Sequence, residues 1–151
     1  MTNKNKRWLL MAGGLAAGLL GYVGWANRRV FTVNDITTGE SAAYPELRSH
    51  VYYAEPGRVL TAAEQAVRSL PRWRVVEVDA ENHALAAEVS TPVGGFTDDV
   101  TVYVTPLGGG QTCAIIRSHS RVGRGDLGQN AAHIRELQDA MDARLTTDAA
   151  F

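Results

Sequence analysis

An α+β domain, with a four-stranded antiparallel sheet carrying two helices on one face and an apolar N-terminal span ahead of it, is the architecture to which this chain points. Three observations carry that reading. Two stretches have apolar residues at helical spacing, four stretches alternate apolar and polar residues between Gly-, Pro- or Asn-containing breaks, and one early stretch is apolar throughout. The helices each show one apolar face and the sheet shows one better face, so the economical packing puts both helices on the same side.

The early stretch is Trp8–Ala26, nineteen residues without a charge, behind a basic tail at residues 1–7 that carries Lys4, Lys6 and Arg7 and ahead of Arg28 and Arg29. At about 1.5 Å per helical residue it nearly matches a hydrocarbon core of roughly 30 Å, so a transmembrane anchor is expected over residues 8–26. Trp8, Tyr22 and Trp25 lie near the ends, at headgroup depth, and Gly14, Gly18, Gly21 and Gly24 form a small-residue surface that would admit a second helix. A secretory signal peptide is the competing reading, with Gly24-Trp25-Ala26 as a small-x-small cleavage site. The length of the run and the two arginines after it favour an uncleaved anchor. Three basic residues before the span against two after it place the N-terminus in the cytoplasm and the following domain outside.

The globular domain is expected over residues 30–147. Val30–Tyr53 lacks periodicity and reads as an extended segment crossing the surface, with a short strand near Val51–Tyr53. Pro56 suits a first helical turn, Val59, Ala63, Ala66, Val67 and Leu70 share one helical face, and Pro71 ends the helix. Trp73–Val78 and Ala84–Val89 read as hairpin partners about a turn at Asp79–Asn82. Pro92-Val93-Gly94-Gly95 breaks the chain before a strand at Asp98–Thr105, and Leu107-Gly108-Gly109-Gly110 turns it into a fourth, Gln111–Ser120. The last helix is expected between about Asp126 and Leu145, with Ala131, Ile134, Leu137, Met141 and Leu145 inward and Asp126 or Asn130 as its cap.

Composition removes several functions. Fifteen Lys and Arg against sixteen Asp and Glu, a net charge of −1, leave no basic field for nucleic acid. One cysteine, Cys113, excludes an internal disulfide and any multi-thiolate metal site, and in a strand it is expected as a small buried hydrophobe.

Polar residues cluster at the far ends of the last two strands. Pairing Thr105 with Gln111 sets Val100 against Ile116, Val102 against Ala114, Asp99 against Arg117 and Asp98 against Ser118. Alternation then puts Asp99, Arg117, His119 and Arg121 on one surface, and Asp98, Ser118 and Ser120 on the other with the valines. Asp98 and the serines are placed to accept hydrogen bonds from the N–H groups that open the last helix, a structural polar motif that includes Asp126 and Asn130. Asp99 and Arg117 are expected as a cross-strand ion pair. Asp99, Arg117, His119, Arg121 and Arg124 are the candidate binding residues. The three arginines, with the Gly123–Gly125 backbone, could hold a small anion or lipid headgroup, although Asp126 already occupies the positive helix end.

Catalytic sets are not assembled by this pattern. Ser118 and Ser120 project away from His119, Asp98 and Asp99 point apart, and His119 with His133 lacks a third ligand, so no catalytic residue, metal or cofactor is expected.

Val33-Asn34-Asp35-Ile36-Thr37-Thr38, Phe96-Thr97-Asp98-Asp99-Val100 and the run Arg117-Ser118-His119-Ser120-Arg121-Val122-Gly123-Arg124-Gly125-Asp126-Leu127-Gly128-Gln129-Asn130 together resemble the bacterial and plastid family called domain of unknown function 1499. The likeness covers roughly Val33 to Leu145. The family's motif often continues with basic residues, where this chain has Ala131, Ala132 and His133, which weakens the anion reading. The resemblance implies no activity and no catalytic residue; it implies small domains that often carry an N-terminal membrane or export segment. The expected setting is therefore single-pass in a bacterial plasma membrane with the C-terminal domain extracytoplasmic. The expected function is a non-enzymatic accessory domain whose outer sheet face, around Tyr103, Ile115 and Arg117, binds a protein partner, such as a membrane protein, or stabilises a membrane assembly.

Overall fold

The computed structural model describes residues 28–92, 94–123 and 125–147 of the chain. The anchor expected at Trp8–Ala26 lies outside the described residues, and among those described no helix is long and apolar enough to cross a membrane. A short helix α1 (Arg29–Thr32) leads into strand β1 (Asp35–Thr37), then β2 (His50–Tyr52), helix α2 (Pro56–Ser69), strands β3 (Trp73–Asp79), β4 (Ala84–Ser90), β5 (Thr97–Gly108) and β6 (Gln111–Ser120), and helix α3 (Gln129–Thr147).

The sheet is antiparallel and has six strands, not the four expected, in the order β1-β6-β5-β4-β3, with β2 also on β6. The two added strands occupy one edge end to end. β1 pairs with β6 at Ile36 opposite Ser118, and β2 pairs with β6 at Val51 opposite Cys113. β2 is the short strand expected near Val51–Tyr53, one residue earlier, whereas β1, at three residues too short to show a period, is hidden in the sequence. Thr38 bridges the gap between them. Its amide donates to the Ile116 carbonyl and its hydroxyl accepts the Ile116 amide at 3.0 Å, so that β6 keeps its ladder where neither strand reaches. The loop beyond Thr38 is not a simple surface crossing, because Tyr44 and Leu47 are buried in the core.

The pairing of β5 with β6 is offset by two residues from the one expected, and the turn is shorter. Gly108 pairs with Gln111 across a two-residue turn at Gly109 and Gly110, both with positive φ, and an irregularity at Pro106/Gly108 follows. Such a turn matches the strand twist only when both central residues take left-handed conformations, which glycine does without steric cost. Val100 therefore faces Ser118, Asp99 faces His119 and Asp98 faces Ser120. The expected Asp99–Arg117 and Asp98–Ser118 oppositions are corrected by this shift. Because it is an even number of residues, every side chain stays on the face that alternation assigned.

α2 and α3 both pack on one face of the sheet. Pro56 occupies the first turn of α2, whose Val59, Ala63, Ala66 and Val67 are buried. Leu70, extended ahead of Pro71, stops that helix. Ala131, Ile134, Leu137, Met141 and Leu145 of α3 are buried as expected, against Val100, Val102 and Val104 of β5 and Ala114 and Ile116 of β6 in one core. Cys113 is not in that core. It points to the opposite face and is only half buried, since its neighbours Thr112 and Ala114 take the inward positions.

Candidate functional site

The two faces of the β5–β6 hairpin carry different chemistry. On the outer face, charges form a ladder across strands. The Arg121 guanidinium donates to both oxygens of Asp99, at 2.9 and 2.6 Å, and to Glu88 at 2.5 Å, while Arg74 donates to the other oxygen of Glu88. Arg117 forms a two-bond fork with Asp35 at 2.9 and 2.6 Å. Donation from Arg121 and then Arg74 holds the Glu88 carboxyl below its ordinary range, donation from Arg121 lowers Asp99, and the bonds to Asp35 raise Arg117.

Asp99 therefore pairs with Arg121 rather than Arg117, because Arg117 turns toward the edge strand that the sequence concealed. His119 lies on this face opposite Asp99. Of the three arginines considered for an anion, Arg117 and Arg121 have carboxylate partners, and Arg124 lies outside the described residues. Beside the ladder lies an apolar stripe. Tyr103 is 48 % exposed and Val51 46 %, with half-buried Ile115 between their strands.

On the inner face, four of the polar residues form a connected cluster at the start of α3. Asn130, fully buried, accepts from the Ser118 hydroxyl at 2.5 Å and donates to the Ser120 hydroxyl at 2.8 Å and to the Asn34 carbonyl at 3.0 Å. Asp126 accepts the amides of Gly128 at 2.8 Å and Asn130 at 2.6 Å. Those two amides open the helix, and an anionic acceptor there also suits the helix dipole. Asp98, expected to share this role, does not.

Asp98 instead takes a hydrogen bond from Ser120 and turns toward His133 of α3, with Oδ2 at 3.5 Å from Nδ1. Both residues are buried, 2 % and 3 % exposed, and neither of those two atoms has a hydrogen-bond partner. Burial pushes the Asp98 carboxyl up and the His133 imidazole down from their ordinary values. Each group is thereby driven toward its neutral form. The Trp73 indole packs edge-on against His133, with ring centres 5.7 Å apart, and donates to Glu136 at 3.0 Å.

His133 is the residue that sequence reasoning undervalues. A pairing with His119 is ruled out, since the two are on opposite sides of the sheet. Its place beside Ile134 and one turn before Leu137, on the inward stripe of α3, is the available signal. Asp98, Ser120 and His133 do not make a nucleophilic relay. The serine is bonded to the carboxylate and to Asn130, and nothing connects it to the imidazole as a base. Among the described residues no group of three His, Cys, Asp or Glu is placed to hold a metal.

A pocket of about 310 Å³ opens beside this cluster, with Asp98, Ser120 and Asp126 in its lining and Phe96, Val122 and Leu127 about it.

The run that builds both faces, with the strand and loop segments that meet it, falls inside a single family profile match over residues 29–141. The chain belongs to the family described as protein of unknown function (DUF1499). The DUF1499 match runs from α1 into α3 and includes every residue of the ladder and of the inner cluster. No curated protein compared with the chain matches it by sequence. Among solved structures, the chain is similar to the di-domain ARO/CYC BexL from the BE-7585A biosynthetic pathway, at 11 % identity and a TM-score of 0.46, over 76 % of this chain and 44 % of that one. It thus spans less than half of that protein. It is also similar to a protein from Thermus thermophilus, at 13 % identity and TM-score 0.46, over 76 % of this chain and 98 % of that one. A START superfamily protein from Mycobacterium smegmatis aligns over 76 % of this chain and 99 % of its own, at 10 % identity and TM-score 0.43.

Proposed function

We propose that this DUF1499 chain is a membrane-tethered, non-enzymatic binding domain that offers the outer face of its sheet to a protein partner at the same membrane. The observation that carries the reading is that none of the described elements covers this face. α2 and α3 pack on the other side, and the segment before α2, which would have buried the face had it folded across it, adds β1 and β2 to the sheet edge instead. Tyr103, Ile115 and Val51 remain as an aromatic and aliphatic stripe bordered by the Arg121–Asp99–Glu88–Arg74 ladder. An apolar centre with a polar margin of mixed sign is the pattern of a partner surface. The apolar stretch Trp8–Ala26 supports tethering and limits the partner to molecules near the bilayer. A lipid-headgroup or small-anion site on Arg117, Arg121 and Arg124 has less support, because the first two already direct their donors to carboxylates.

The test is site-specific photocrosslinking in intact membranes. A benzophenone side chain at position 103 should yield one dominant adduct to another protein, while the same group at Gln65, exposed on α2, should not. Self-adducts alone at position 103, or the same adduct at equal yield from Gln65, would refute the partner-face reading.

A further inference from the structure

We propose that Phe96, Val122 and Leu127 form a bilayer-contact rim, three apolar side chains at one end of the sheet that insert into the interface of the membrane holding the chain's own N-terminal span. The inference deepens the proposed function and rests on its tethering half, while the partner face stands or falls separately.

The three side chains are exposed together. Phe96 is 53 % exposed, Val122 65 % and Leu127 69 %, and they come from two loops, the β4–β5 and β6–α3 connections, to line one opening. Large apolar side chains gathered in water contribute little to the fold and mark a contact surface. Each stands on a fixed backbone. The Phe96 amide donates to the Thr91 hydroxyl at 3.1 Å and its carbonyl accepts the Thr91 amide at 2.8 Å, closing the β4–β5 connection. Gly123, next to Val122, accepts from the Asn34 side chain at 2.6 Å. Leu127 has a φ of +56°, a left-handed conformation unfavourable to a residue with a Cβ, and Asp126 fixes it by accepting the amides of Gly128 and Asn130 on its far side. A strained backbone that presents an exposed leucine serves a contact outside the domain.

The path of the chain decides what the rim meets. The start of β1, the start of β5 and the end of β6 lie at one end of the sheet, since Asp35 pairs with His119 and Asp98 with Ser120. The chain enters the domain at that same end, where the Asn34 carbonyl accepts the Ser120 amide at 2.8 Å. Ala26, the last residue of the apolar stretch, is eight positions before Asn34. With α1 helical, that length of chain spans at most about 22 Å. The opposite end of the sheet, with exposed Tyr53 and Leu107, lies about 35 Å away along β5. The tether therefore brings the rim end to the bilayer, with Arg28 and Arg29 at headgroup depth between the two. Charge does not oppose the contact. Of the carboxylates within three positions of the rim residues, Asp98 and Asp126 are buried and Asp99 is held by Arg121. With that end toward the lipid, the strands rise away from the membrane and the outer sheet face looks along it, open to a partner in the same bilayer.

The experiment uses the full chain in a Cys113→Ser background, with one environment-sensitive fluorophore attached through Val122→Cys, Leu127→Cys or Leu107→Cys. It is reconstituted into phosphatidylcholine and phosphatidylglycerol vesicles whose acyl chains are brominated near the headgroup, and density flotation of the same sample reads tethering separately. A rim residue reaches about 5–10 Å into the headgroup–acyl boundary, so bromine should quench positions 122 and 127 by about half and leave position 107 unquenched. Phe96→Ser with Leu127→Ser should lift position 122 out and abolish its quenching, with flotation unchanged. In a chain that floats, equal quenching at 122 and 107, or none at either, would overturn the inference and leave tethering standing. Quenching at 122 that survives the double substitution would also overturn it, since the anchor alone then holds that position near lipid. A blue shift at 122 that grows with protein concentration, without quenching, would assign the rim to a second copy of the chain and overturn the bilayer reading. A chain that fails to float with the vesicles would overturn tethering and rim together.

Discussion

Replacing Asn130 with alanine tests whether the inner polar cluster is the joint between sheet and helix. The side chain makes three buried hydrogen bonds, to the Ser118 and Ser120 hydroxyls and the Asn34 carbonyl. The consequences differ for each partner. Asn34 keeps a second bond, because its carbonyl also accepts the Ser120 amide at 2.8 Å, and Ser120 keeps its bond to Asp98. The Ser118 hydroxyl, fully buried, loses its acceptor. Three net contributions of about 1 kcal/mol, one bare hydroxyl at about 1–2 kcal/mol and a small void sum to about 4–6 kcal/mol. Ser118→Ala alone should cost about 1–2 kcal/mol. Added to Asn130→Ala it should cost less than the sum by about 1–2 kcal/mol, because it removes the orphaned hydroxyl. Urea unfolding followed by Trp73 fluorescence, in a Trp8→Phe, Trp25→Phe background, measures all four corners of the cycle. A cost below about 1 kcal/mol for Asn130→Ala, or strict additivity with Ser118→Ala, would refute the reasoning.

Asp126→Ala should cost about 1–2 kcal/mol by freeing the Gly128 and Asn130 amides, with Asp126→Asn recovering part of it; equal stability of wild type and Asp126→Ala in the same urea assay would count against that anchoring role. His133 predicts a pH dependence. Burial holds its folded pKa below the ordinary 6.5, against the opposing pull of Asp98 from β5, Glu136 on its own helix and Asp126, with Arg72 adding to the depression. Its contribution to stability is therefore complete above pH 6.5 and lost as pH falls from there toward the lower folded value, where the unfolded chain binds the extra proton. Asp98 acts in the other sense, since a raised folded pKa gives stability that is present below 3.8 and lost as pH rises through the folded value. His133→Gln should flatten the decline in urea midpoint on the acid side of 6.5, and an unchanged slope there would remove His133 as its source.

Much of the domain is legible because its periods are long. The five apolar positions of α3 recur over four turns, and the alternation of Val100, Val102 and Val104 with Thr101, Tyr103 and Thr105 runs far enough to assign faces without knowing the register. That is why Asp98, Ser118 and Ser120 read as inward with the valines, and Asp99, Arg117, His119 and Arg121 as outward, although the hairpin closes two residues from the expected pairing. Membership in DUF1499 is equally legible, since it rests on contiguous residues.

Pairings between distant segments are not legible, because side-chain type says what a residue needs and not which of several candidates supplies it. Arg117 had Asp99 available in one register and took Asp35 from an edge strand eighty-two positions away. Asp98 could have opened the helix, but Asp126 lies next to those amides along the chain, and Asp98 was left facing a histidine on the inward stripe. Local alternation thus divides the chain between core and surface through backbone geometry, while the choice of partners waits for the packing of helix on sheet, which alone brings Asp98, Ser120, Asn130 and His133 within a few ångströms.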